Sequence, residues 1–323
     1  MFFLFDQANI GVSYFFILSG FVMIIAYHKR GEINFLKYLI SRFARIYPVY
    51  LFAVILLLVF QFKVELPIDY AGLLLNLLAL QAWIPGKALS FNTPGWSLSV
   101  EFFFYGIFPF LFNSVYQYRR YFNKMSLTVL AIWLITQILL CWFTRSSYYH
   151  GYPSKSHDVI YYYPLMHLNE FLIGNLTGLI FVKNYRAEKR RYDMHILFLV
   201  AAIIIALKFP VGLNFHDGIL ALLFAPLIYF ISSNRGITTS LFATPPLVFL
   251  GEISYSIYIL QLPIFLWLDK IYQHFNITNA ALRFYVFLSF LVLFSAVSYR
   301  LLETPLRKKI RDLYLTKRPV TNA

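Results

Sequence analysis

The amino-acid sequence predicts an all-α fold, a polytopic bundle of membrane helices. Three observations carry this. Of the 323 residues, 60% are hydrophobic and only 13% charged, whereas a soluble domain carries about 25% charged residues. The apolar runs are continuous, as in "VYLFAVILLLVFQF"; strands of a membrane barrel would alternate apolar and polar residues. Lipid offers no water to free backbone groups, so helices satisfy the chain instead. Finally, Lys and Arg gather in alternate connecting segments, the bias that orients membrane helices.

About nine spans follow, at 8–27, 47–62, 96–116, 126–143, 163–182, 194–209, 217–232, 247–268 and 283–302. The run 70–83 is about 14 residues, short of the roughly 20 that a crossing needs, and reads as a re-entrant or interfacial segment. With nine crossings, the segments 28–46, 117–125, 183–193, 233–246 and 303–323 share one side and hold 20 Lys and Arg. The opposite segments hold seven, and Arg300 lies near the end of the last span. The basic side is assigned to the cytoplasm. The net charge of +14 is absorbed by this rule, so no nucleic-acid partner is expected. The topology puts residue 1 outside the cytoplasm, just before a span, with no visible signal peptide, and so implies a further helix ahead of it. No internal repeat or soluble linker appears, so 1–323 reads as one integral-membrane domain. Cys141 is the single cysteine, which excludes an intrachain disulfide and a thiolate metal cluster; no metal site is expected.

Taken in order, the polar residues mark candidate sites. In "NFLKYLISRFARIYPVY" (34–50), Asn34 can cap a helix. Phe35, Leu36, Leu39, Ile40, Phe43 and Ile46 would form an apolar face, with Lys37, Ser41, Arg42 and Arg45 largely opposite. Pro48 would start or kink the next helix. Arg42 and Arg45 would present neighbouring guanidinium groups, whose planar forks suit phosphate oxygens; anchoring to anionic headgroups is the competing reading.

In "NTPGWSLSVEFFFYGIFPF" (92–110), Pro94 and Gly95 form the turn and a helix starts near Trp96. Ser97, Glu101 and Tyr105 then share one face. A carboxylate inside a span usually lines an interior cavity, although the start of a helix favours an anion anyway. The loop 144–162 is rich in tyrosine; such rings stack on sugars or settle at headgroup level. In "LMHLNEFLIGNLTGLIFV", Glu170 is a second intramembrane acid, with His167 one turn earlier and in reach of a local hydrogen bond. Gly174 and Gly178 permit close helix approach. In "LGEISYSIYILQLPIF", Ser254, Tyr258 and Gln261 form a polar stripe, either substrate-facing or interhelical hydrogen-bond glue.

Together, "GVSYFFILSGFVM" (11–23), "RFARIYPVY" (42–50), "GWSLSVEFFFY" (95–105), "FLIGNLTG" (171–178), "LGEISYSIYILQLP" (250–263) and "YRLLETPLRKKI" (299–310) closely resemble the acyltransferase 3 family. These are integral-membrane O-acyltransferases with about ten helices. The resemblance implies transfer of an acyl group, often acetyl, from acyl-CoA to a hydroxyl of a cell-surface glycan such as lipopolysaccharide, capsule, exopolysaccharide or peptidoglycan, in a bacterial inner membrane. Its partners would be acyl-CoA, the glycan and membrane lipids, with acyl-CoA a donor substrate and no bound cofactor. Arg42 and Arg45 match the family's Arg-x-x-Arg motif and imply contact with the donor's phosphates. Ser97, Ser99 and Glu101 match its Ser-x-Ser-x-Glu motif and imply a place at the acyl-transfer cavity, ordering a donor, base or acceptor hydroxyl.

Two departures accompany the resemblance. The family carries a His in its first helix, and here no His precedes His28. A His is also common where this chain has Gln261, and Gln cannot act as a general base. His28, His150, His157 and His167 are poor replacements by position. The alternatives are a truncated or inactive member of the family, or a transporter or flippase of lipid-linked sugars. A transporter often shows inverted repeats, and none is visible.

Overall fold

The computed structural model describes residues 10–184, 191–209 and 214–315. Among them all regular structure is helical. In chain order the helices are α1 Ile10–Tyr27, α2 Phe35–Lys63, α3 Tyr70–Leu77, α4 Trp96–Leu111, α5 Phe122–Thr144, α6 Lys155–Tyr161 and α7 Leu168–Asn184. They continue with α8 Asp193–Lys208, α9 Ala221–Ser233, α10 Ile237–Phe242, α11 Pro245–His274, α12 Ala280–Ser298 and α13 Thr304–Leu315. Wider π turns extend α4 over Phe112–Tyr116 and join α12 to α13 over Tyr299–Glu303. The basic stretch 185–190 and the tail 316–323, both assigned to the cytoplasm from sequence, lie outside the described residues, as do the first two residues of the span 8–27.

Six helical segments among the described residues are long and apolar enough to cross a membrane. They are Ile10–Tyr27, Phe35–Lys63, Thr93–Tyr116, Phe122–Thr144, Pro245–His274 and Ala280–Tyr314. The helices α7, α8 and α9, counted as spans in the sequence, have 17, 16 and 13 residues. At 1.5 Å per residue they reach about 26, 24 and 20 Å, below the roughly 30 Å of a hydrocarbon core. Length therefore supports six spans and does not establish nine. The run 70–83 holds one eight-residue helix and a short 3₁₀ turn. That helix is about 12 Å long and cannot cross.

The chain divides into two compact units. One comprises Met1–Ile33 with Ile107–Pro245, the other Asn34–Gly106 with Pro246–Ala323.

In the first unit, α1 and α7 pack closely. A Cβ on Gly174 would overlap the Ile17 carbonyl, and one on Gly20 the Phe171 carbonyl. Small residues there let the two backbones meet, the role read from Gly174 in the sequence. Ile17, Phe21, Val129, Leu172, Leu176, Phe224 and Ile228 fill the core around that contact. The turn before α9 is held from α5. Trp133 Nε1 donates to the Gly218 carbonyl at 2.8 Å and Gln137 Nε2 to the Asp217 carbonyl at 2.9 Å. Gly218 has φ +101°, and a Cβ there would also collide with Asn169, so the turn requires glycine.

In the second unit, Asn34 caps α2 by accepting from the Lys37 amide at 3.0 Å. The helix then runs unbroken through Pro48 to Lys63. The interfacial helix and the span 47–62 are thus one helix of 29 residues, about 44 Å long. That length accommodates both an amphipathic start and a crossing. Tyr255 and Trp267 of α11 donate to the Ile46 and Leu56 carbonyls of α2 at 2.8 and 3.2 Å. These bonds lay the two helices alongside each other. Phe52 stacks with Phe294 of α12, ring centroids 6.1 Å apart, and Ser256 donates to Glu303 at 3.1 Å.

Candidate active site

The turn that launches α4 is fixed by a buried amide network. Tyr50 donates to the Asn76 carbonyl at 2.9 Å. Gln81 Nε2 donates to the Tyr50 hydroxyl at 3.2 Å and to the Gly95 carbonyl at 2.7 Å. Asn92 Nδ2 donates to the Ile259 carbonyl at 3.0 Å. Asn76, Gln81 and Asn92 are fully buried, where an amide that lost its partner would cost about 1–3 kcal/mol. This network sets the position at which α4 begins, at Trp96 as the Pro94-Gly95 turn predicts.

From there α4 presents Ser97, Glu101 and Tyr105 on one side. The Tyr105 hydroxyl donates to the Glu101 carboxylate. The Arg42 guanidinium lies over the rings of Tyr38 and Tyr105, 5.4 and 5.8 Å from their centroids. Tyr38 and Tyr105 also meet edge to face at 6.4 Å. Arginine over tyrosine faces is a cation–π arrangement, and here a positive group over the Tyr105 ring and a carboxylate at its hydroxyl share one tyrosine. One turn earlier, Ser97 donates to the Tyr258 hydroxyl at 3.0 Å. Gln261 Nε2 turns back onto the Tyr258 carbonyl at 2.9 Å. Gln261 thus braces the backbone beneath Tyr258 and supplies no base.

Other sequence candidates are placed differently. Arg45 is exposed while Arg42 is half-buried, so the two guanidinium groups meet different surroundings despite their spacing. The expected apolar face of α2 is mixed as well. Phe35, Leu36 and Phe43 are exposed, while Tyr38 and Ile46 are buried. Ser99 is 1% exposed and its hydroxyl has no hydrogen-bond partner among the described residues. Two positions beyond Ser97, it points about 200° away around the helix. Ser254 bonds the Gly251 carbonyl of its own helix at 2.8 Å and leaves the Ser97–Tyr258 pair to the rest of the stripe.

Sequence reasoning missed Tyr38, an ordinary aromatic in its own stretch. The signal for it was its place one turn before Arg42 on α2.

A second polar cluster lies within the other unit. His167 Nδ1 is 2.8 Å from Glu170 Oε2, the local bond that the spacing predicts. His216 and Asp217, unremarked in the sequence, join them, all four residues being buried. Burial, with His167 close by, holds the His216 imidazole down to about 3. In the loop 144–162 the tyrosines gather on His157. Its ring stacks on Tyr161 at 4.0 Å, and the Tyr149 hydroxyl lies 3.1 Å from its Nδ1.

The fold and the first cluster define a class, a helical integral-membrane protein that keeps a carboxylate, a tyrosine and an arginine together at the start of an apolar helix. The acyltransferase-domain family model matches residues 2–300, so the chain belongs to this family of acyl-transferring enzymes, the one its motif order resembles. The acyltransferase MdmB of Streptomyces mycarofaciens is 39% identical over 114 residues, covering 33% of this chain and 29% of that protein. The O-acetyltransferase OatA of Staphylococcus aureus is 26% identical over 329 residues, covering 93% of this chain and 53% of that protein. The chain thus spans about half or less of the length of these relatives. No solved structure matches it.

Proposed function

We propose that the chain is a membrane O-acyltransferase that moves an acyl group, acetyl in the simplest case, from acyl-CoA to a hydroxyl of a cell-surface glycan in a bacterial plasma membrane. The observation that carries this reading is the Glu101–Tyr105–Arg42 cluster. The name of one relative, an O-acetyltransferase, supports the acyl group and the oxygen acceptor.

In this reading Arg42, with Arg45 at the exposed side, meets the phosphates of the donor. Glu101 takes the proton of the acceptor hydroxyl as its oxygen attacks the thioester carbon. The new C–O bond forms, the C–S bond breaks, and the proton passes to the departing thiolate. Tyr105 holds the carboxylate in place, while Ser97 and Tyr258 hold the acceptor or the acyl oxygen. General acid–base help of this kind contributes about 10²–10⁴ in rate.

The test is transfer of radiolabel from acetyl-CoA to purified cell-wall or capsular polysaccharide by membranes containing the chain. Label in the polysaccharide, lost on mild alkaline hydrolysis, is the expected result. Donor binding without transfer would leave the inactive family member as the better description.

A further inference from the structure

We infer that His167, His216 and Asp217 form a structural site for a divalent transition-metal ion, zinc being the best match, with Glu170 as the outer partner of His167. One potential ligand atom from each of the three lies within 4.8 Å of the others. The Nε2 atoms of His167 and His216 converge on one backbone oxygen, the Tyr161 carbonyl, at 3.1 and 3.3 Å. Two ligands of a tetrahedral zinc with bonds of about 2.0–2.1 Å stand roughly 3.3 Å apart. The Tyr161 carbonyl thus stands at a fourth-ligand distance from both rings, while the three side-chain atoms, up to 4.8 Å apart, would close on one ion by small side-chain rotations.

The outer arrangement has the form that metal sites use. A ligating His generally gives its other ring N–H to a carboxylate, which fixes its tautomer and orientation. His167 Nδ1 faces Glu170 Oε2 at 2.8 Å. The turn that carries His216 and Asp217 is held from outside: Ser13 donates to the His216 carbonyl, and Gln137 and Asn169 donate to that of Asp217 at 2.9 and 3.3 Å.

Independent support comes from unmet polar capacity and charge. Asp217 and Glu170 are 1% and 0% exposed, yet among the described residues Asp217 Oδ1 and Glu170 Oε1 have no hydrogen-bond partner. The other Asp217 oxygen accepts from Asn214 Nδ2 at 3.1 Å. No lysine or arginine among the described residues pairs with either acid. Glu170 has only the His167 imidazole as a possible countercharge and Asp217 has none among the described residues, so keeping both buried carboxylates ionised is costly. A divalent cation neutralises both and gives Asp217 Oδ1 its missing partner. Imidazole with carboxylate suits zinc better than magnesium or calcium, which prefer all-oxygen shells. The complete burial fits a closed, structural site that ties the start of α7 to the turn before α9.

The experiment uses the full chain purified in detergent, stripped with a chelator, reloaded with zinc and desalted. Metal per chain is read by mass spectrometry, and a parallel cobalt-loaded sample is read by visible absorption. The wild type should retain about one zinc and give the d–d bands of four-coordinate cobalt. His216→Gln and Asp217→Asn should retain less than a tenth as much. Glu170→Gln should weaken zinc binding about 10–100-fold, the usual effect of losing an outer partner. Because a variant that fails to fold would also lose metal, the wild-type cobalt spectrum stands as a separate criterion. A wild type that retains no zinc, or variants that retain it as well as the wild type, would overturn the site. Either result would leave a proton-balanced His–carboxylate network in its place.

Discussion

At the scale of single residues, the account rests on Glu101 and its two neighbours. Replacing Glu101 by Gln keeps the shape and an acceptor for Tyr105 but removes the base, so acetyl transfer should fall about 10²–10⁴-fold. Tyr105→Phe should fall less, since the carboxylate persists and loses one hydrogen bond worth roughly 1.5–3 kcal/mol. Arg42→Ala should weaken acyl-CoA binding about tenfold to a hundredfold or more, the cost of one charge-assisted contact. Arg45→Ala should weaken it less, because that side chain is exposed and water takes its place. Equilibrium binding of labelled acyl-CoA checks both arginines; equal losses would contradict the division between them. The sequence made Glu101 visible because a lone acid in an apolar run is expensive, and it made Arg42 and Arg45 visible by their spacing. It could not divide the arginines, because three residues of helix put them on neighbouring positions and only the packing of Tyr38 and Tyr105 draws one inward. His216 and Asp217 escaped notice for a related reason. Their partners lie about 50 residues away, and no local period marks a loop that folds back on a helix start.

At the scale of elements, the α1–α7 contact is the tightest constraint. Gly174→Leu would drive a side chain into the Ile17 carbonyl. Overpacking costs about 1–3 kcal/mol where neighbours can move, and here the neighbour is helix backbone. The yield of monodisperse protein after detergent extraction should drop sharply for Gly174→Leu and stay near wild type for Gly251→Ala, a position with open space around it. The loop 144–162 offers a pH-dependent element. Burial lowers the His157 imidazole below its ordinary 6.5, against the opposing pull of Asp158. A histidine held neutral in the fold contributes fully above the unfolded value and loses that contribution as pH falls below it. Amide exchange in 144–162, corrected for its intrinsic pH dependence, should therefore quicken as pH drops through about 6.5. His157→Gln should flatten that change, and an unchanged profile in the variant would remove His157 as the cause. The sequence read the loop's aromatics as sugar-stacking or headgroup residues, and the structure stacks several of them on His157.

At the scale of the whole molecule, helix type, the Asn34 cap of α2, the α4 start and the short 70–83 segment were all legible, because each depends on local pattern and capping. Span count was less so. Continuous apolar sequence does not mark where a helix begins: α7 and α9 start at Leu168 and Ala221, later than the apolar runs 163–182 and 217–232, and α8 nearly matches its run 194–209 but is itself short of a crossing. The charge bias predicts the orientation. A reporter fused at Asp193 should report the cytoplasm and one at Ser156 the opposite side; the reverse pair would sink the topology drawn from the 20-to-seven bias. The central claim is that acyl transfer takes place at the Glu101–Tyr105–Arg42 cluster, and the most direct test is a steady-state comparison of wild type and Glu101→Gln at matched membrane levels. The assay follows labelled acetyl from acetyl-CoA into polysaccharide. The account predicts a kcat lowered at least about a hundredfold with donor KM nearly unchanged. A Glu101→Gln protein that transfers acetyl at the wild-type rate would contradict it.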